Sequence, residues 1–151
     1  MSADNNARWE KKYIRLDSDS ATPFFIEAEI FGELALHRSL GRENAGLFTL
    51  THVRTGRGLT TFDRICGKAA AELLASLDWT FDKVDGCPAS TQKETQRILW
   101  RLQRLLPTLS PRPRRTSQLV AAFRKAEAAS QESGTASTTS ASRSRSNKKE
   151  K

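Results

Sequence analysis

The chain has 151 residues, of which 37% are hydrophobic, and a formal net charge of +8 at pH 7. This length suits one domain of ordinary size and argues against a second independent core. No window approaches the roughly 18 apolar residues of a membrane span and the polar N-terminus lacks a signal peptide, so we expect a cytoplasmic (bacterial) or nuclear protein that is neither secreted nor membrane-bound.

The N-terminal segment gives weak structural signals. Residues 1–7 are polar and are predicted to be a flexible N-terminus. Residues 8–16 (RWEKKYIRL) alternate enough for a short strand or an ordered arm, with Trp9, Tyr13 and Leu16 as candidate anchors. The next segment is rich in Asp and Ser and ends at Pro23, whose ring disfavours helical geometry in the preceding residue, so it is predicted to be a loop.

Residues 24–31 (FFIEAEIF) give the strongest strand signal. One face of this strand carries Phe24, Ile26, Ala28 and Ile30, which predicts a core face, and the other face is mixed. Gly32 then predicts a bend or bulge, and residues 34–40 continue the alternation as a strand, with a short helix as the main alternative. Residues 41–46 (GRENAG) are predicted to be a loop.

A β-hairpin is predicted next. Residues 47–54 and 59–62 are rich in β-branched and aromatic residues, and the turn between them contains two glycines. Arg54 and Arg57 flank or occupy this turn, where cations and backbone amides can bind a phosphate. A solvated hairpin tip is the simpler interpretation of the same pattern.

The first predicted helix begins at Asp63, a typical N-cap residue, and has an apolar stripe that recurs every four residues. Small residues, including Gly67 in the first turn, predict close packing of this helix on the sheet. The alternating segment 79–81 (WTF) then predicts a short strand or a lid over the core.

The second predicted helix spans residues 91–106 and ends before Pro107. Thr91 and Glu94 have the spacing of a capping box, which predicts the start of this helix. Its apolar stripe consists of Ile98, Leu99, Leu102, Leu105 and Leu106.

The opposite face of this helix carries one aromatic side chain among four cations. These residues are Lys93, Arg97, Trp100, Arg101 and Arg104. Three interpretations are open: a solvated face, a nucleic-acid surface on which Trp100 stacks on a base or packs on a sugar, and a protein interface anchored by Trp and Arg.

Most of the net charge lies after the helices. Residues 110–151 contain ten Lys or Arg and three Asp or Glu, whereas residues 1–109 contain 15 and 14, so the folded part is nearly neutral. Residues 110–151 are predicted to be a basic, Pro/Ser/Thr-rich linker and disordered tail, with Arg112, Arg114 and Arg115 in its kinked first part. Leu119–Ala129 is a marginal helix candidate because it lacks a core to dock on, so we expect deletion of residues 116–151 to leave the fold intact.

Catalytic and metal-binding patterns are not found in the sequence. Cys66 and Cys87 lack metal-ligand spacing and favour reduced thiols, with one bridge between them as the alternative. His37 and His52 are not tied to a Ser, Cys or Asp by recognisable spacing. No enzymatic activity and no cofactor are therefore expected.

The sequence thus predicts a single α+β domain over residues 8–109, in which a small antiparallel sheet is packed by two helices. The expected function is noncatalytic nucleic-acid binding, with DNA favoured over RNA, in a mobile-element, phage or chromatin accessory role. The alternative is an adaptor or inhibitor that docks the basic helix on an acidic protein partner. A homodimer is also considered, because Trp9, Phe25, Phe31 and Trp79 exceed what one small core obviously consumes.

Overall fold

The computed structural model describes residues 8–16 and 24–140, with the backbone alone at residue 42 and at residues 132–140. The predicted flexible N-terminus (1–7), the predicted loop up to Pro23 (17–23) and the last residues of the predicted tail (141–151) lie outside the described residues.

A five-stranded antiparallel sheet forms one layer of the protein. Its strands are β1 (Glu10–Leu16), β2 (Phe24–Phe31), β3 (Leu34–Arg38), β4 (Phe48–His52) and β5 (Arg57–Phe62). Neighbours in the chain are neighbours in the sheet, in the order β1-β2-β3-β4-β5. With the helices described below, this confirms the predicted α+β class.

Two glycines with positive φ close the sheet's tight turns. Gly32 (φ 63°) turns β2 into β3, so the predicted bend is a hairpin turn and the segment after it is a strand. Gly56 (φ 69°) turns β4 into β5. Arg57 pairs with His52 and begins β5, so it lies in the strand that follows the predicted turn.

Three α-helices are present in the described part of the chain: α1 (Arg64–Leu74), α2 (Ala89–Leu105) and α3 (Thr116–Ser140). Asp63 caps α1 as predicted, because its carboxylate accepts a hydrogen bond from the Cys66 backbone N–H at 2.9 Å. A Cβ atom at Gly67 would lie 2.6 Å from Leu36 Cδ1, so the predicted close approach of this helix to the sheet requires a glycine.

The main core lies between the sheet and the helices. It contains Leu34, Leu36 and Leu50 from the sheet and Ile98 and Leu102 from α2, which confirms the predicted apolar stripe. A second, smaller cluster lies on the opposite face of the sheet and contains Ile14, Leu16, Ala28 and Ala35, with Phe24, Ile26 and Ile30 packed against it. The predicted core face of β2 therefore packs in this second cluster.

Helix α3 belongs to the packed domain, contrary to the prediction that the chain after residue 109 is linker and tail. Leu119, Val120 and Phe123 are buried in the main core, and α3 contacts α1. An isolated helix of this composition is marginal in water, but docking on the alanine-rich surface of α1 supplies the missing burial. Deletion of residues 116–151 is therefore no longer expected to leave the fold intact.

The predicted capping box is wrong. Helix α2 begins two residues before Thr91, after Pro88, and has no side-chain cap. Thr91 lies inside the helix, where its hydroxyl donates a hydrogen bond to the Asp78 carbonyl at 3.2 Å. The Glu94 carboxylate accepts a hydrogen bond from Arg97 Nε at 2.9 Å, so neither side chain acts as the box requires.

Candidate nucleic-acid interface

Two of the predicted site residues on α2 bind an acidic residue of α3. Arg97 Nη1 lies 2.9 Å from both carboxylate oxygens of Glu127. Arg101 Nε lies 3.4 Å from the same carboxylate, and its Nη2 donates a hydrogen bond to the Ser130 hydroxyl at 2.8 Å. These two arginines therefore join α2 to α3, and half of the predicted basic face contacts another helix.

The charge of Arg97 is further compensated within α2. Hydrogen bonds raise the pKa of the Arg97 guanidinium above its ordinary value; the bond to Glu94 has the larger effect and the bond to Glu127 the second largest. The same contact with Arg97 lowers the pKa of Glu94. A guanidinium that already holds two carboxylates is poorly suited to bind a phosphate, because the new contact would have to displace existing ones.

Trp100, Arg104 and Lys93 form the outward part of this face, which we call the α2 outer surface. Trp100 is 55% exposed, and the Arg104 guanidinium lies 4.3 Å from the centroid of its ring. Among the described residues, neither Arg104 nor Lys93 has a carboxylate within ion-pair distance. Trp100 lies seven positions after Lys93 and four before Arg104, that is, about two turns and one turn away, so the three residues lie on one side of α2. This surface combines an exposed ring with two cations that form no ion pair with the described residues.

The predicted phosphate grip at the β4–β5 turn is only partly available. Arg54 donates a hydrogen bond to Glu33 at 3.1 Å and lies 3.4 Å from Asp82, so it ties the β2–β3 turn to the segment after Trp79. Arg57 is exposed and has no ion pair among the residues that the structure describes. The two arginines therefore do not form one cationic turn.

The three arginines before α3 also separate into two roles. Arg112 forms an ion pair with Asp63, the residue that caps α1. Arg114 and Arg115 are exposed, and their backbone N–H groups donate to the Gln118 side-chain oxygen at 3.0 and 3.3 Å. Their side chains have no carboxylate partner among the described residues, so they can add positive charge near the start of α3.

Two exposed aromatic residues on the β1–β2 ribbon were missed as candidate site residues. Tyr13 and Phe25 are 72% and 67% exposed. The register pairs Phe25 with Arg15 and Tyr13 with Glu27, which places both rings on one face of the ribbon. The sequence signal was available for Phe25, which lies on the mixed face of the predicted strand, whereas Tyr13 was predicted to be an anchor and is exposed instead.

Most of the aromatic residues that suggested a homodimer pack within the chain itself. Trp9 is half-buried, with its ring centroid 5.1 Å from that of Phe31, and the Lys68 ammonium lies 4.9 Å from the Trp9 ring. Trp79 is buried in the main core. Of the four aromatics that suggested a second copy, Phe25 alone is mostly exposed.

Both histidines are held by hydrogen bonds within the sheet region. His37 is buried, with Nδ1 2.9 Å from the Arg38 carbonyl and Nε2 2.9 Å from the Thr51 hydroxyl. Burial lowers the pKa of His37. The ring of His52 bridges the Thr55 hydroxyl and the Trp79 carbonyl, at 2.9 and 2.8 Å. These contacts give each imidazole a packing role.

The carboxylate of Glu29 on β2 is bound by two cations of α1. Glu29 lies 2.6 Å from Arg64 Nη2 and 3.6 Å from the Lys68 ammonium. Burial alone would raise the pKa of Glu29, but these two cations lower it below its usual value. Glu29 therefore anchors α1 to the sheet.

The described residues contain no group of three or more His, Cys, Asp or Glu side chains that could hold a metal ion. Cys66 and Cys87 are both free thiols, and burial raises the pKa of Cys66 to about 12. Within the same residues, no helix has the length and apolar content needed to cross a membrane. Comparisons of the chain with protein-family models, curated proteins and solved structures found no match.

Proposed function

We propose that this chain is a noncatalytic nucleic-acid-binding protein, with DNA favoured over RNA, and that the α2 outer surface is its contact surface. The observation that carries the proposal is the Trp100 ring, which is 55% exposed and stacked against the Arg104 guanidinium at 4.3 Å. The cation–π contact itself contributes only about 0.5 to 1 kcal/mol at an exposed site, whereas stacking on a base and neutralising a phosphate would use both groups.

The distribution of cations that form no ion pair supports a polyanionic partner. Lys93 and Arg104 flank Trp100, and Arg114 and Arg115 precede α3 without carboxylate partners among the described residues. The last eleven residues of the chain contain five Lys or Arg and one Glu. Such cations raise encounter rates and salt-dependent affinity for phosphates without reading bases.

The proposed site is smaller than the sequence predicted. Arg97 and Arg101 contribute to binding by positioning α2 against α3, because their guanidinium groups hold Glu127. Arg54 and Arg112 are likewise engaged, with Glu33 and Asp63 respectively. Lys93, Trp100 and Arg104 remain as direct contact residues.

A mobility-shift titration with single-stranded DNA, duplex DNA and RNA at two salt concentrations tests the proposal. The double variant Lys93→Glu, Arg104→Glu should fold normally, because neither side chain has an ion-pair partner among the described residues. It should lose affinity, and the loss should shrink as salt rises, since exposed charges are screened over about 8 Å at physiological ionic strength.

A matched variant separates the surface from net charge. Arg8→Glu, Arg38→Glu changes the charge by the same amount at two exposed positions before β1 and at the end of β3. If both double variants lose affinity equally, the α2 outer surface is not a site and binding depends on net charge. If the wild-type chain binds no nucleic acid but captures an acidic protein through Trp100, the adaptor alternative replaces this proposal.

A further inference from the structure

A cavity of about 390 Å³ lies beside the α2 outer surface. Its walls come from the β4–β5 turn, the segment after α1 that contains Trp79 and Phe81, and the N-terminal half of α2. This volume falls within the range of small-molecule sites, roughly 300 to 1,000 Å³, and the walls combine aromatic surface with a few polar groups, as such sites do.

Three rings form the apolar wall. The His52 ring centroid lies 4.5 Å from that of Phe81 and 5.4 Å from that of Trp79. Because the Trp79 carbonyl can only accept, His52 Nε2 carries the proton, and Nδ1 accepts from the Thr55 hydroxyl. Both ring nitrogens are therefore occupied, which fixes the imidazole. His52 and Trp79 are 1% and 4% exposed, so they support Phe81, which is half-buried and is the ring that can contact a planar ligand.

Polar groups of two elements reach the same cavity. Gln92 and Gln96 of α2 line it one helical turn apart, and Arg57 lines it from the start of β5. Thr95, also on its wall, has a buried hydroxyl with no hydrogen-bond partner. Side-chain amides both donate and accept, so they suit the hydrogen-bonding edge of a base, and an arginine without an ion pair suits a phosphate. The Gln92 amide already donates to the Cys87 carbonyl at 3.4 Å, so a base would exchange or share that contact.

We propose that this cavity binds one nucleotide unit, with its base against Phe81 and the glutamine amides and its phosphate on Arg57. The choice of a nucleotide over other planar anions rests on the proposed function. Gln96 and Trp100 are one helical turn apart on α2, so a strand that crosses the α2 outer surface passes the mouth of the cavity. The unit can be an unpaired base within a strand or a free nucleotide, and the test below distinguishes these sources.

Cys87 lines the cavity, so the rate at which a thiol reagent labels it reports whether the cavity is occupied. It is half-buried, whereas Cys66 is almost fully buried in the core, so a thiol reagent should label Cys87 first. The labelling rate is measured with the full chain alone, with each nucleoside monophosphate up to millimolar concentration, with the matching nucleosides, and with a saturating single-stranded oligonucleotide. Cys87→Ser provides the labelling blank.

We expect a saturable slowing of Cys87 labelling by at least one nucleoside monophosphate or by the oligonucleotide. Arg57→Ala should weaken protection by the monophosphate about tenfold or more and leave protection by the nucleoside unchanged, because the charge-assisted contact is to the phosphate. Gln96→Ala should weaken both. Protection by the oligonucleotide alone identifies a base within a strand, and protection by monophosphates identifies a free nucleotide as a sufficient ligand.

Failure of the inference can be told apart from failure of the proposed function. If an oligonucleotide binds through Trp100 but neither it nor any monophosphate slows labelling, the cavity is not a nucleotide site and the inference is overturned. If monophosphates protect Cys87 while no strand binds, the cavity site stands without the α2 outer surface. Equal protection in Arg57→Ala and wild type would overturn the assigned phosphate position.

Discussion

The guanidinium of Arg97 on α2 donates hydrogen bonds to both carboxylate oxygens of Glu127 on α3, each 2.9 Å from Nη1. Arg101 approaches the same carboxylate at 3.4 Å. From the sequence, both arginines belong to an outward face, because their partner lies about thirty positions further along the chain and becomes a neighbour only when α3 docks. Arg97 and Arg101, which the sequence predicted to bind a ligand, therefore join two helices of the fold.

A double-mutant cycle on Arg97→Ala and Glu127→Ala should give a coupling free energy of about 0.5 to 1 kcal/mol, since the pair is well oriented but partly exposed. Urea denaturation measures it. Arg97→Glu should destabilise the fold more than Arg97→Ala, because it places a carboxylate beside Glu94 and Glu127. Arg104→Glu, which meets no described carboxylate, should stay within about 0.5 kcal/mol of wild type. Equal effects at positions 97 and 104 would contradict this assignment.

Phe123→Ala tests whether α3 belongs to the core. Phe123 is 4% exposed and packs in the main cluster, so its truncation should cost about 3 to 5 kcal/mol. The exposed neighbour Arg124→Ala is the control and should change the free energy of unfolding by less than about 0.5 kcal/mol. Thermal or urea denaturation of both variants gives the comparison. If Phe123→Ala and Arg124→Ala both had small and equal effects, α3 would not belong to the core and would be part of the predicted tail.

The sequence predicted correctly those elements whose structure depends on residues close together in the chain. The alternation in FFIEAEIF predicted β2 at its observed bounds, and Asp63 was recognised as a cap because an N-cap acts on an amide three residues away. The leucine stripe of α2 reflects helical periodicity and was likewise recognised. Each of these features depends on neighbours within one or two turns.

Features that depend on distant partners were missed. The Thr91 hydroxyl bonds the Asp78 carbonyl, and this tertiary contact lies outside any local capping pattern. Leu119, Val120 and Phe123 give too short an apolar run to predict a core helix, because their burial requires the small residues of α1 as a docking surface. The cavity beside α2 could not be predicted for the same reason, since its walls come from three separate parts of the chain.

Gly67→Ala should destabilise the protein although alanine favours helices. A Cβ there would lie 2.6 Å from Leu36 Cδ1 and 3.2 Å from Cδ2, and the buried Leu36 side chain has little room to move. Overpacking costs about 1 to 3 kcal/mol and the helix propensity returns about 1, so the net loss should be up to about 2 kcal/mol. In a Leu36→Val background the cost of Gly67→Ala should shrink, because valine lacks the clashing atoms. If Gly67→Ala cost the same in the Leu36→Val background, contact with Leu36 would not be the cause of the destabilisation.

The stability of the protein should fall on mild acidification partly through His37. Burial lowers the pKa of His37 in the folded state below its ordinary value near 6.5. As the pH falls below about 6.5, the unfolded chain therefore binds more protons at His37 than the folded chain does, and stability decreases. His37→Gln should reduce the difference in unfolding free energy between about pH 5 and pH 7, measured by urea denaturation. A variant whose pH dependence equals that of wild type would remove His37 as a contributor.

The exposed ring of Trp100 makes a prediction about the kind of strand that is bound. In a duplex the bases are stacked on each other, whereas an unpaired base can leave the strand and stack on an indole. Stacking on a protein aromatic contributes roughly 1 to 3 kcal/mol per base, so Trp100→Ala should weaken single-strand binding about five- to 150-fold and duplex binding much less. Trp100→Phe keeps a stacking surface and should recover part of the loss. Equal losses on single strands and duplexes would assign Trp100 to packing on sugars or phosphates, and no loss on either would remove the α2 outer surface as the binding site.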